Sequence, residues 1–151
     1  MEFDPDDGDP VNLTPRAQAL LRIVIGFLFF QHGYGKLFGA LPGVTGASGP
    51  VPLVSLIGLS GILEVFGGIL MMLGLFTRPV AFLLSGEMAV AYFHVHVHKG
   101  FWPVQNGGEL AALSCFVYLF LAAAGPGAWS LDSRIARGRA ADRVGVRPVP
   151  E

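Results

Sequence analysis

A chain of 151 residues that is 52% hydrophobic and 14% charged, with 21 glycines besides, departs far from the roughly 45–50% apolar-plus-glycine and roughly 25% charged make-up of soluble domains. This composition disfavours a water-soluble globule and points to a single membrane-class domain. A formal net charge of -1, from 10 basic and 11 acidic side chains, gives no cationic excess for nucleic acid, and the one cysteine, Cys115, excludes an intrachain disulfide framework, a CxxC redox pair and a multi-cysteine metal site.

Residues 1–15 carry Glu2, Asp4, Asp6, Asp7 and Asp9. They lack the positive n-region and cleavage site of a secretory signal, so they read as a disordered acidic tail ahead of a retained first helix. Four apolar stretches follow, at 17–38, 53–75, 79–98 and 107–124. Each has about the 17 to 25 residues that a helix needs to cross some 30 Å of hydrocarbon. Thr77-Arg78-Pro79 places proline at a helix start, Asn106 with Glu109 three residues on reads as a cap for the fourth helix, and Gly125-Pro126-Gly127 ends it. The loop at 39–52 is uncharged and rich in glycine and proline; the other connections are a few residues long. Residues 16–132 therefore predict an all-α integral membrane four-helix bundle, since short loops join antiparallel neighbours. Residues 133–151 form a tail with Arg134, Arg137, Arg139, Arg143 and Arg147, and Ile135 stands one helical turn after Leu131, just ahead of the tail. It either lies on anionic lipid or is solvated. Arg16, Arg22, Arg78 and the five tail arginines fall on one side of the membrane, against Lys36 and Lys99 on the other, so both termini are expected in the cytoplasm. No P-loop or GxGxxG sequence supports nucleotide binding.

An ionisable residue within a span costs at least about 2.5–3.5 kcal/mol at the bilayer centre, so each needs a partner, a cavity or a task. Counting about 1.5 Å per residue puts Glu64 and Glu87 near mid-membrane. His32, Lys36, His94, His98 and Glu109 fall toward the non-cytoplasmic end, and Arg22 and Arg78 near the cytoplasmic one. The expected arrangement is a polar funnel narrowing onto two carboxylates. Glu87, Ala91, His94 and His98 share one face at helical spacing, with His96 pointing away. Ser60, Gly61, Gly67 and Gly68 surround Glu64 at i-4, i-3, i+3 and i+4, which lets a neighbouring backbone come close. On this reading Glu64 and Glu87 handle protons; the rival reading makes them protonated structural groups that bond helix to helix. Glu109 also fits a helix-start carboxylate, and Lys36 and Arg22 also fit snorkelling side chains. His94 with His98, or His32 with His94, falls short of a full ligand set, so neither metal nor haem is expected. Cys115 reads as a small core residue.

Several blocks in order carry a resemblance. They are Leu21-Arg22 and His32-Gly33-x-x-Lys36 in the first span, Glu64-x-x-Gly67-Gly68-x-Leu70 with Gly74-Leu75-x-Thr77-Arg78, Asn106-Gly107-Gly108-Glu109, and Gly125-Pro126-Gly127-x-Trp129-Ser130-Leu131-Asp132. Together they resemble the DoxX family of small bacterial four-helix membrane proteins. The resemblance implies a multi-pass protein of the bacterial cytoplasmic (inner) membrane. Family members are linked to quinone-coupled oxidoreductase complexes, such as a thiosulfate:quinone oxidoreductase subunit, and to thiol-stress assemblies with partner proteins. Arg22, His32, Lys36, Glu64, Arg78 and Glu109 match the family's motif positions; Glu87, His94 and His98 rest on depth alone. The expected function is a membrane subunit of a redox system that binds a quinone or similar lipophilic molecule, with His32 or Lys36 on a quinone oxygen and a soluble or membrane partner supplying electrons. A non-catalytic scaffold and a proton-coupled carrier are the alternatives, and an oligomer is compatible with each.

Overall fold

The computed structural model describes residues 13–41 and 49–144. Nearly all of the acidic tail, half of the 39–52 loop, and Arg147 lie outside the described residues, as does the side chain of Arg143. Among the described residues the regular structure is entirely helical: α1 (Thr14–Phe38), α2 (Leu56–Leu73), α3 (Thr77–Ala91), a π turn (Tyr92–His96) and a 3-10 turn (Val97–Lys99), α4 (Pro103–Asn106), α5 (Glu109–Ala124) and α6 (Leu131–Val144).

Local chemistry sets most of these limits. Pro15 sits in the first turn of α1, where a missing N–H costs nothing, and Gly39 ends the helix at φ 64. Ser55 caps α2 by accepting from the Gly58 N–H at 3.0 Å, and Gly74 closes it at φ 66. The start of α3 is capped from a distance: the Asp132 carboxylate accepts from the N–H groups of Phe76 and Thr77 at 2.9 and 2.8 Å. A negative charge at this position also complements the positive end of the helix dipole.

Glycines determine how α1 and α2 meet. A Cβ on Gly33 would lie 2.6 Å from Gly61 O, and one on Gly68 would lie 2.6 Å from Gly26 O. The pairs 26/68 and 33/61 run in opposite directions, so the two helices are antiparallel with their backbones in contact, as small residues allow between helices. Gly67 receives Leu84 of α3, and α3 packs on α5. Ile25, Phe29, Met71, Leu84, Tyr118 and Leu121 form the centre of the core, where Phe29 meets Tyr118 edge-on at 4.6 Å.

The distribution of polarity is inverted relative to a soluble domain. Arg22 is 0% and Glu64 3% exposed, whereas Phe66, Phe82 and Phe116 are 63%, 68% and 68% exposed. An apolar exterior of this extent marks a surface that meets something other than water. Leu56–Leu73 and Thr77–Lys99 are long and apolar enough to cross a bilayer. By the same measure the other two expected crossings differ. α1 has 25 residues, about 37 Å, but carries Arg16, Arg22 and Lys36, and α5 has 16 residues, about 24 Å.

Two local expectations are corrected. Asn106 does not cap α5 with Glu109; its Oδ1 accepts from Gly108 N–H at 2.7 Å and its Nδ2 donates to Gly100 O at 2.8 Å, so the side chain closes the loop before α5. Gly107, at φ 70, breaks the helix between them, and Glu109 is the exposed first residue of α5. The third span does not continue as one α-helix either. The Val97 N–H donates to Tyr92 O, an i to i+5 bond, and the wider turn rotates all that follows. Glu87, His94 and His98 therefore do not share a continuous α-helical face.

Candidate functional site

Three ionisable side chains gather between α1, α2 and α3. Lys36, in the last turn of α1, donates to Glu64 Oε1 of α2 at 2.8 Å and to Ser60 Oγ at 3.0 Å. The glycine contacts of α1 with α2 bring the two helices near enough for this: Gly61, one turn before Glu64, faces Leu37 and the Cβ of Lys36. Among the described residues Glu64 Oε2 is buried without a partner. Both carboxyl oxygens of Glu87, from α3, are likewise buried and unpartnered, and this carboxyl lies within electrostatic reach of Glu64 and Lys36. Buried polar groups normally find a hydrogen-bond partner, so three such oxygens in one cluster are exceptional.

Two further groups border the cluster. His32, one turn before Lys36, is half-buried, within electrostatic reach of it, and hydrogen-bonded to no described residue. Tyr118 of α5 is fully buried, donates to Ile25 O at 3.4 Å, and lies within reach of both glutamates. Sequence reasoning passed over Tyr118; its signal is a hydroxyl-bearing ring near the middle of an otherwise apolar helix.

The remaining candidates lie elsewhere. His94 and His98 are exposed, as is Glu109, and none of them bonds to the Lys36–Glu64–Glu87 group among the described residues. His96 instead is half-buried, with Nδ1 3.1 Å from Asn106 O, so the π turn has exchanged which histidine faces protein. The expected funnel is thus reduced to its inner end. No three His, Cys, Asp or Glu side chains cluster as metal ligands among the described residues.

Among the described residues the hydrogen bonds of Arg22 and Arg78 all go to backbone carbonyls. Arg22 Nε donates to Pro126 O at 2.9 Å, Nη1 to Met71 O and to Met72 O at 2.9 Å, and Nη2 to Ala128 O and Trp129 O at 3.4 and 3.1 Å. Every nitrogen of the guanidinium is occupied by backbone carbonyls, including those left open by the end of α2. Arg78 Nη1 donates to Ala122 O and Ala123 O at 3.1 and 2.6 Å, closing the end of α5.

An apolar exterior around buried, paired charges defines a helical membrane protein. The DoxX family model matches residues 17–97, and the chain belongs to the DoxX family. A Haemophilus influenzae protein described as uncharacterized is 45% identical over 123 residues, covering 80% of this chain and 91% of its own length. The Escherichia coli "Inner membrane protein YqjF" is 30% identical over 120 residues, 74% of this chain and 85% of its own. The Bacillus subtilis "Putative oxidoreductase CatD" is 29% identical over 121 residues, 80% and 87% respectively. No solved structure matches the chain.

Proposed function

We propose that this chain is a multi-pass subunit of a redox system in the bacterial cytoplasmic membrane. In this reading α1, α2, the α3 segment and α5 cross as a four-helix bundle with both termini in the cytoplasm. The bundle binds a quinone or similar lipophilic molecule, and a partner protein supplies the electrons. The observation that carries the reading is the Glu87 carboxyl, buried with neither oxygen partnered, beside the Lys36–Glu64 pair. An ionisable group kept in a span at such cost has a task by default. The name of the Bacillus subtilis relative points toward redox chemistry, and that of the Escherichia coli relative toward the inner membrane.

The residues fit a quinone head, which offers two carbonyl oxygens as acceptors and takes up a proton with each electron. His32 bonds to no described residue and can donate a ring N–H to such an oxygen, and Phe29, three residues earlier on the same helical face, adds aromatic surface. Glu87 holds and passes the proton, a general-acid role open to it because no other described group claims its oxygens. Lys36 balances Glu64, so the pair leaves little net charge in the hydrocarbon. Arg22 and Arg78 favour the scaffold reading at their own positions, since both are spent on backbone.

A ligand that binds only the folded state raises the melting temperature. A menaquinone or ubiquinone analogue is expected to stabilise the detergent-solubilised protein, with the shift lost in His32→Ala with Lys36→Ala and reduced in Glu87→Gln. An unshifted wild type at saturating analogue, or an equal shift in the double variant, replaces the quinone reading with the scaffold one.

A further inference from the structure

α6 should be unstable as it stands in water. It has 14 residues with Gly138 in its interior, and from Arg134 to Ala140 every residue is exposed. An isolated helix below about 12–15 residues is marginal even in alanine-rich sequences, and an interior glycine costs about 1 kcal/mol more. Tertiary packing, the usual remedy, is missing beyond its first turn among the described residues. A surface that covers it has to come from outside the described residues.

The first turn shows where that cover lies. Asp132 N–H donates to Gly74 O at 2.9 Å, its carboxylate caps α3, and Ser130 Oγ accepts from Ser133 N–H at 3.2 Å. Through Ala128 and Trp129 the same segment is held by Arg22. The helix thus starts fixed to the turn between α2 and α3, at the rim of the apolar exterior. Trp129 and Phe76, 59% and 62% exposed, stand at this rim, where aromatic rings favour the membrane–water interface. Beyond Asp132, residues 133–140 carry Arg134, Arg137 and Arg139 and no acidic side chain, while exposed Ile135 follows Leu131 at one turn.

We propose that α6 lies in the interfacial plane of the membrane, bound through Arg134, Arg137 and Arg139 to the phosphates of anionic phospholipids, with Ile135 and Trp129 in the acyl boundary. Charge complementarity selects the occupant: three arginines with no described counter-ion face a leaflet whose headgroups are negative. Anionic lipid therefore supplies both the counter-charge and the surface that α6 lacks. Each arginine near such a surface is worth about fivefold in partitioning, so the three together give on the order of a hundredfold. The inference needs only the membrane setting and is independent of the quinone site.

The test uses the full chain in nanodiscs of phosphatidylcholine alone or with phosphatidylglycerol. Gly138 has open space around its Cα, so Gly138→Cys in a Cys115→Ala background carries a polarity-sensitive fluorophore without strain. Quenching of that label by brominated lipid is expected in the phosphatidylglycerol discs, and is expected to fall toward the phosphatidylcholine level in high salt and in the variant R134Q/R137Q/R139Q. On the unlabelled wild type, trypsin cleavage after the same arginines is expected to slow at least tenfold in the anionic discs and to recover in salt. Equal quenching and equal cleavage in both lipids assign the arginines to solvent or to another part of the chain and overturn the proposal, as does lipid dependence that survives in the triple variant.

Discussion

Replacing Arg22 by lysine keeps the charge and removes the fork. In the native arrangement the guanidinium reaches five carbonyls on two separate segments, 71–72 and 126–129, from one fully buried position. A lysine ammonium offers three donors from a single point and cannot span both segments, so at least two bonds are lost. At about 1.5 kcal/mol for each charge-assisted bond, Arg22→Lys should cost about 3 kcal/mol. At about 2–4 °C per kcal/mol for a chain of this size, that is a fall of about 6–12 °C. Arg22→Met, which keeps the apolar stem but removes every donor that Arg22 supplies, should fall further. The assay is thermal unfolding in mild detergent followed by fluorescence-detected size exclusion, with each variant also titrated with the quinone analogue below its own melting temperature. If Arg22 only holds the backbone, the ligand-induced shift persists in Arg22→Lys. A melting temperature within 2 °C of wild type for both variants would refute the clamp, and a normal melt with a lost ligand shift would return Arg22 to the binding site.

Three further outcomes are expected. Reporters fused at either terminus should be cytoplasmic and one placed in the 39–52 loop should be external, given eight of the 10 basic residues on the terminal side; external reporters at the termini would overturn this topology. Gly68→Val should separate α1 from α2, because its Cβ would lie 2.6 Å from Gly26 O and 2.7 Å from Phe30 N, both backbone atoms that cannot yield; a loss of about 2 kcal/mol or more should appear in the melt, against little change for Gly86→Ala, where nothing stands within 4 Å. Glu64→Gln should retain the bond from Lys36 and most of the fold, whereas Glu64→Lys sets two ammonium groups against each other in a buried site and should abolish folded protein in membranes; equal yields of the two variants would show the site to be wet.

The helical character, the glycine setting of Glu64 and the end at Gly125 are legible because each depends on a residue's own chemistry and its near neighbours. Arg22 is legible only as a charge near one end. Its partners are carbonyls of residues up to 107 positions away, and a carbonyl has no sequence signature. Asp132 is hidden for a similar reason: it caps α3 from 55 positions away, so no local capping pattern is present at Thr77. The histidine faces were misjudged because a periodicity of 3.6 residues was carried through Tyr92–His96, where the π turn takes a different pitch. Lys36 and Glu64 were each visible as costly residues at different depths. That a length of one lysine side chain joins them follows only from how closely the glycines let α1 and α2 approach.

The reach of Arg22 also orders events during biosynthesis. On the proposed topology α1 enters the membrane carrying a guanidinium whose final acceptors have not yet been synthesised: Met71 and Met72 arrive about fifty residues later, and Pro126, Ala128 and Trp129 more than a hundred. At a synthesis rate of roughly 5–20 residues per second, several seconds separate the first helix from its last bonds. Through that interval the arginine has to reach for headgroups and water, holding α1 shallow and loosely committed. Docking of 126–129 is then the step that releases it, so a ribosome-bound chain stalled before Pro126 should remain open to a membrane protease that a finished chain resists.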